Sequence, residues 1–139
     1  MTEKAVYTAE AIATGDGRAG RVRTVDDGLV LDLALPPALG GSGRGSNPEE
    51  LFAAGYAACF HNALRMVARR AKADVEGSQV TGRVTLLQEG WDFRLSVHLT
   101  VDVPGARLEE ARKLAEEAHQ ACPYSKAIRG NVTVETELV

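Results

Sequence analysis

The sequence has little of three things: cysteine, clustered positive charge and long apolar runs. Its formal net charge is −3, and its 16 basic and 19 acidic residues are spread along the chain. No basic block is present to bind a phosphate backbone, so a nucleic-acid partner is not expected. No stretch approaches the roughly 18 apolar residues of a membrane span, and residues 1–7 lack the basic start and apolar run of a signal peptide. These absences predict a soluble, cytoplasmic protein without a membrane partner.

Cysteine occurs only twice, and each copy lies in a predicted helix. Cys59 is part of an apolar run at 51–60, and Cys122 opens the motif CPYS at the end of a second helical pattern. A single free cysteine would mean little, because cysteines are usually buried and inert. Two thiols on two separate helices in a reducing compartment favour redox or catalytic chemistry over a permanent structural disulfide.

Length and composition predict one domain that spans residues 1–139. A chain of 139 residues with 45% hydrophobic content can build one core but not two ordinary domains. Turn signals at 15–17 and 26–28 divide residues 1–36 into three strands, at 4–13, 18–25 and 29–35. The other predicted elements are a helix at 47–72, a hairpin at 79–103, a helix at 107–122 and a final strand at 131–139. The order βββ-α-ββ-α-β indicates an α+β fold with about six strands in a largely antiparallel sheet and two main helices.

Local patterns set the predicted ends and faces of these elements. Asn47 can cap the first helix, with Pro48 suited to its first turn. From Phe93 to Val103 apolar and polar residues alternate strictly, so one face of that strand is predicted to lie in the core. Apolar residues recur every three or four positions up to Cys122, where Pro123 is expected to end the second helix.

A reactive Cys59 requires help from another element. On a helical wheel Cys59 shares the apolar face of its helix, and burial there raises the pKa of a thiol and makes it inert. A cation must therefore come from elsewhere, and spacing alone does not choose among the arginines of the N-terminal hairpin, which are Arg18, Arg21 and Arg23. A carboxylate is expected to hold a buried arginine. The candidates are Glu49 and Glu50, although Glu49 lies ~15 Å from Cys59 along a continuous helix.

Two other kinds of site have less support in the sequence. A zinc site would use Cys59, His61, His119 and Cys122, but His61 is rotated by about 200° from Cys59 on a helix. A cysteine hydrolase would need a histidine within hydrogen-bond reach of Cys59, and the sequence places none there. The serines at 42, 46 and 125 lack the context of a nucleophile elbow. The sequence therefore predicts no metal site and no hydrolase.

Four sequence motifs are distinctive as a set. They are YTAEA at 7–11, GRAG at 17–20, NPEELFAAGYAACF at 47–60 and CPYS at 122–125. Together they closely resemble the organic hydroperoxide resistance (Ohr) proteins of the OsmC superfamily, and the resemblance spans almost the whole chain. It implies an OsmC/Ohr-like fold and an intertwined homodimer with active sites at the interface.

The resemblance also implies a cysteine-based peroxidase that acts as an antioxidant in the response to oxidative stress. Such an enzyme reduces organic and fatty-acid hydroperoxides to alcohols and has no bound cofactor. Dihydrolipoyl groups of lipoylated proteins act as its external reductant. The alternative is a non-enzymatic protein of the same superfamily, which binds apolar ligands and in which the cysteines are incidental.

Residue roles follow from the same resemblance. Cys59 matches the peroxidatic cysteine and Cys122 the resolving cysteine, which implies a redox disulfide between them. Arg18 matches the arginine that activates the thiolate, and Glu49 the carboxylate that orients this arginine.

Thiol chemistry gives the expected cycle. The Cys59 thiolate attacks a peroxide oxygen and becomes a sulfenic acid, and Cys122 then condenses with it to a disulfide. A dithiol reopens that disulfide by exchange. Four aromatic side chains offer apolar surface for a substrate, although packing in the core is the ordinary role of each: Phe52, Tyr56, Phe60 and Tyr124.

Overall fold

Three strands precede the first α-helix in the computed structural model, which describes residues 2–139. The chain divides into two compact units, Met1–Pro48 and Glu49–Val139. The first contains β1 (Ala11–Thr14), β2 (Arg21–Thr24) and β3 (Val30–Asp32). The second contains α1 (Pro48–Arg70), which starts at the boundary, then β4 (Gln79–Glu89), β5 (Asp92–Asp102), α2 (Leu108–Ala121), α3 (Pro123–Ile128) and β6 (Thr133–Leu138). The predicted α+β order is confirmed, with one additional helix.

The N-terminal unit is an antiparallel sheet in the order β1-β2-β3, with strands shorter than predicted. The first strand pairs with β2 only from Ala11, which lies opposite Thr24. Of the strand predicted at residues 4–13, only the C-terminal end is therefore present. The third strand ends at Asp32: the Leu33 N–H still donates to Gly20 O, in register with β2, but the Ala34 N–H donates to Ser46 O. A short 3-10 helix, Gly17–Ala19, separates β1 from β2 and contains Arg18.

Helix α1 begins and ends as its sequence indicates. Pro48 opens it, Glu49 and Glu50 lie in its first turn, and Arg69 and Arg70 lie in its last. Acidic residues near the N-terminus and basic ones near the C-terminus complement the helix dipole. Its apolar side chains supply much of the core of the unit, and those that are buried are Tyr56, Phe60, Ala63, Leu64, Val67 and Ala68.

The second unit has its own sheet, so residues 2–139 form two three-stranded sheets where the sequence predicted one. Its order is β4-β5-β6. β4 and β5 form the predicted antiparallel hairpin, whereas β6 pairs parallel to β5. A parallel partner needs a crossover connection, which α2 and α3 provide. Gly82 lets the sheet approach α1, since a Cβ there would lie 2.8 Å from Ala53 O.

The outer end of the hairpin departs from the predicted pattern. The alternation places Phe93 on the core face, but this residue is 53% exposed, and Trp91 at the turn is 98% exposed. The physical reason is the length of the partner strand. β6 pairs only with Ser96–Val101, and in this part of β5 Val97, Leu99 and Val101 are buried as predicted.

Pro123 both ends one helix and begins another, and the second helix was not predicted from the sequence. A residue before proline is pushed away from the helical region, and Cys122 has an extended conformation with φ −65° and ψ 123°. Pro123 itself suits a first helical position, and α3 starts there. Cys122 is therefore the corner residue between two short helices. Among residues 2–139 no helix has the length and apolar character needed to cross a bilayer.

Candidate active site

The two cysteines face each other inside the C-terminal unit. Cys59 comes from the middle of α1 and Cys122 from the corner between α2 and α3, and their sulfur atoms are 3.5 Å apart. Both are free thiols. Cys122 is completely buried, whereas Cys59 is partly exposed. A disulfide bond is ~2.05 Å long, so a movement of about 1.5 Å would join the two sulfurs.

The surroundings of Cys59 within this unit disfavour its thiolate. Burial raises the pKa of Cys59 above its ordinary value, because the charged form loses hydration. A hydrogen bond from the backbone N–H of Tyr124 opposes this rise, and the neighbouring Cys122 adds to it. The partial exposure of Cys59 gives a reactant access to the sulfur. The neighbours described so far therefore position a thiol but do not activate it.

An aromatic cluster lies beside the cysteine pair. Phe52 and Tyr124 pack edge to face with ring centroids 6.1 Å apart, and Tyr56 lies 5.6 Å from Tyr124. Phe52 and Tyr124 also line an apolar cavity of about 250 Å³. The other residues that line it are Pro123, Ala127 and Ile128. The residue whose N–H bonds to Cys59 therefore also offers an apolar surface to a ligand.

The four aromatic residues predicted to contact substrate occupy different environments. Phe52 and Tyr124 line the cavity, and Tyr124 is 38% exposed. Tyr56 and Phe60 have no exposed surface. Phe60 packs in the hydrophobic core, and Tyr56 uses its hydroxyl in a 2.6 Å hydrogen bond with Ser125. Of these four residues, only Phe52 and Tyr124 present accessible surface to a ligand.

Gly55 explains how the ring of Tyr124 reaches α1. A Cβ at Gly55 would lie 2.5 Å from the Tyr124 hydroxyl oxygen, closer than real side chains approach. An alanine there would have to displace the ring of Tyr124, and the backbone N–H of the same residue bonds to Cys59. This residue was not predicted from the sequence, although a glycine inside an alanine-rich helix was a usable signal. Such a glycine costs about 1 kcal/mol relative to alanine, and a close contact is a common reason for it.

The residues weighed as zinc ligands do not converge on one point. His61 is 3.0 Å from the Ser78 hydroxyl through Nε2, and His119 is 2.8 Å from the Ser125 hydroxyl through Nδ1. Cys59 and Cys122 face each other instead. Across residues 2–139, no three or more His, Cys, Asp or Glu side chains are grouped to hold a metal ion.

Arg18 and Glu49 belong to different units. Arg18 lies in the 3-10 helix of the N-terminal unit and is partly buried. Glu49 lies in the first turn of α1 and is also partly buried. The roles of these two residues stay predictions.

The comparisons with known proteins agree on one family. A model of the family described as OsmC-like protein matches residues 41–137. The organic hydroperoxide resistance protein of Xanthomonas axonopodis pv. citri is 46% identical over 138 residues, which cover 98% of this chain and 96% of that protein.

The chain belongs to the OsmC family.

Solved structures agree with the organic hydroperoxide resistance branch of that family. An organic hydroperoxide resistance protein from Legionella pneumophila matches with a TM-score of 0.92 and 48% identity, covering 97% of this chain and 98% of that one. OhrB of Bacillus subtilis matches with a TM-score of 0.88 and 43% identity, covering 97% of this chain and all of that one. The range of this chain that the OsmC family model matches, 41–137, contains Glu49 and both cysteines, and Arg18 lies before it. The resemblance seen in the sequence is thus confirmed for the family and for the fold.

Proposed function

We propose that this protein is a thiol-dependent peroxidase that reduces organic and fatty-acid hydroperoxides to alcohols. The observation that carries the proposal is the 3.5 Å separation of Cys59 Sγ and Cys122 Sγ. A peroxidase with two cysteines needs one sulfur that a peroxide can reach and a second sulfur close enough to close a disulfide. Cys59 is partly exposed and Cys122 is completely buried, which suits these two roles.

The proposed reaction balances in two steps. The Cys59 thiolate attacks one peroxide oxygen, the O–O bond breaks, and the alkoxide leaves as an alcohol after it takes a proton. Cys59 is then a sulfenic acid, oxidised by two electrons. The Cys122 sulfur attacks the Cys59 sulfur, a disulfide forms, and the hydroxyl group leaves as water with the thiol proton of Cys122.

We propose that dihydrolipoyl groups of lipoylated proteins complete the cycle. A dithiol opens a disulfide by exchange and is itself oxidised to a cyclic disulfide, so no bound cofactor is needed. The reducing cytoplasm, which we propose as the location, would keep such an external dithiol available. The support for this reductant is the membership of the organic hydroperoxide resistance branch together with the disulfide chemistry of the cysteine pair.

Activation of Cys59 is assigned in this proposal to Arg18, with Glu49 as the carboxylate that orients it. Burial raises the pKa of Cys59, so a cation must lower it for reaction near neutral pH. An arginine suits this task because it stays charged when partly buried. We further propose that the protein acts as a homodimer, and both assignments rest on the resemblance to the family.

The apolar cavity suggests which peroxides react best. Its lining of Phe52, Pro123, Tyr124, Ala127 and Ile128 contains no charged side chain. Burying the carbon chain of an organic hydroperoxide against such a surface is favourable by about 25 cal/mol per Å². Hydrogen peroxide has no such chain and is expected to react more slowly.

A Cys122→Ser variant tests the two-cysteine cycle. We expect it to lose steady-state turnover of cumene hydroperoxide in a dihydrolipoamide-coupled assay, because no disulfide forms for the dithiol to reduce. Its first oxidation should stay within about twofold of the wild-type rate, since Cys59 is retained. Stopped-flow measurement of the first step beside the coupled assay checks both. Full coupled turnover in this variant would contradict the proposal, and an apolar-ligand carrier would show neither reaction in the wild type.

A further inference from the structure

A buried hydrogen-bond chain joins the three helices around the cysteine pair. The Tyr56 hydroxyl of α1 and the Ser125 hydroxyl of α3 are 2.6 Å apart. Nδ1 of His119 in α2 is 2.8 Å from the same Ser125 oxygen. Tyr56 and Ser125 have no exposed surface. One serine hydroxyl therefore ties α1, α2 and α3 together in the interior.

The tautomer of His119 with its proton on Nε2 gives these hydrogen bonds a single direction. Burial, reinforced by the charge of Arg129, lowers the pKa of His119, so its ring is neutral near pH 7. A neutral ring can accept at Nδ1, and Ser125 then donates to His119 while Tyr56 donates to Ser125. The remaining ring N–H belongs to Nε2, and His119 lines a cleft of about 220 Å³ with Arg112, Glu116 and Thr136. The Tyr56 and Ser125 hydroxyls and His119 Nδ1 are then all hydrogen-bonded.

Each member of the chain lies one helical turn from a cysteine. Tyr56 precedes Cys59 by three residues in α1. His119 precedes Cys122 by three residues and Ser125 follows it by three, so they flank the corner that carries the sulfur. Arg129 strengthens the same corner, because its Nη2 donates to the backbone oxygen of His119 at 2.8 Å. These hydrogen bonds thus fix both of the backbone segments that carry the two sulfurs.

We infer that Ser125 is a positioning residue for disulfide formation and that, through Tyr56 and His119, it holds the Cys122 sulfur within reach of the Cys59 sulfur. The inference rests on the proposed function, since the step it concerns is the attack of Cys122 on the Cys59 sulfenic acid. The Ser125 hydroxyl bonds to Tyr56 and His119 and acts on the Cys122 sulfur through the helix corner. Its loss leaves Tyr56 and His119 without their shared partner in a buried site. A misplacement of about 1 Å in reacting groups can slow a step on the order of a hundredfold.

Ser125→Ala and Tyr56→Phe test this role, and the second variant keeps the aromatic ring in place. After one equivalent of cumene hydroperoxide, sulfenic acid is followed by its reaction with dimedone and disulfide by intact mass of quenched samples. We expect the first oxidation to stay within about twofold of wild type and disulfide formation to slow by about tenfold, so that sulfenic acid accumulates. Ser78→Ala is the matched control, because it removes a serine hydroxyl that bonds to a different histidine, His61, at 3.0 Å. It should change neither step.

Equilibrium with dithiothreitol gives a second readout that does not depend on peroxide. The disulfide is made with diamide, and we expect the Ser125→Ala disulfide to be reduced at a lower dithiothreitol concentration than that of wild type. The inference is overturned if disulfide formation in Ser125→Ala keeps the wild-type rate, or if both steps slow equally. If wild-type protein forms no disulfide with peroxide, the proposed function fails. The equilibrium with dithiothreitol then still decides the role of Ser125.

Discussion

Replacement of Cys59 by serine is expected to reduce the reaction with organic hydroperoxides to the rate seen without protein. The thiolate is the nucleophile of the proposed first step, and a serine hydroxyl is a weak nucleophile at neutral pH without a general base beside it. Cys59 contacts the backbone of Tyr124 and the Cys122 thiol, and neither group is a general base for a serine hydroxyl. Consumption of cumene hydroperoxide in the presence of excess dihydrolipoamide measures the effect.

Cys122→Ser is the matched control for this experiment, because it also replaces one of the two sulfurs by oxygen. Cys122→Ser should still consume one equivalent of peroxide, whereas Cys59→Ser should consume none. Unfolding curves of both variants show whether the fold is retained. Retained peroxide consumption by a folded Cys59→Ser protein would contradict the assignment of Cys59 as the peroxidatic cysteine.

Replacement of Arg18 by alanine is expected to slow the first oxidation by about tenfold or more at neutral pH. A neighbouring opposite charge changes a pKa by roughly 1 to 3, and below the pKa each unit is a tenfold change in the thiolate fraction. Part of this change is offset, since a thiolate of higher pKa is the stronger nucleophile. The sign is fixed by burial, which already raises the pKa of Cys59. Without the cation, the rate should reach its plateau only at higher pH.

Arg21→Ala is the matched control for Arg18→Ala. Both arginines lie in the N-terminal unit, and Arg21 forms an exposed ion pair with Asp32 at 3.3 Å. The pH dependence of the oxidation rate, measured by stopped flow under single-turnover conditions, should move upward in Arg18→Ala and stay unchanged in Arg21→Ala. Arg18→Lys should restore part of the rate, because it keeps the charge but not the planar guanidinium. Equal pH profiles for wild type and Arg18→Ala would show that another group activates Cys59.

The sequence predicted the structure best where the signal lies within a few neighbouring residues. The proline and acidic residues at 48–50 predicted the start of α1, and the alternation in β5 predicted its buried residues from Val97 onward. Both signals depend on the chain within a few residues. The exposure of Phe93 was not predictable in this way, because it depends on where β6, some forty residues later, stops pairing.

The candidate site shows the same division. The motifs around Cys59 and Cys122 singled out both sulfurs as candidates. No periodicity in the sequence predicts that the fold brings them to 3.5 Å of each other. The extended backbone at Cys122 was implicit in the following proline, whereas the helix after Pro123 was not foreseen. Ser125 was considered only as a nucleophile, because its actual partners, Tyr56 and His119, are 69 and six residues away. Side chains that act through distant partners are identified only once the fold is known.

The mass of the wild-type protein after one equivalent of cumene hydroperoxide shows whether Cys59 and Cys122 form a disulfide during peroxide reduction. Fully reduced protein is mixed with the peroxide, quenched with a thiol-blocking reagent and analysed intact and as peptides. We expect the loss of two hydrogens, no blocked thiol, and a cross-linked peptide pair that contains Cys59 and Cys122. Dihydrolipoamide added before the quench should reduce the disulfide, so that the blocking reagent then modifies two thiols. A protein that keeps two reactive thiols after exposure to the peroxide, or that is oxidised without a Cys59–Cys122 link, would contradict the account.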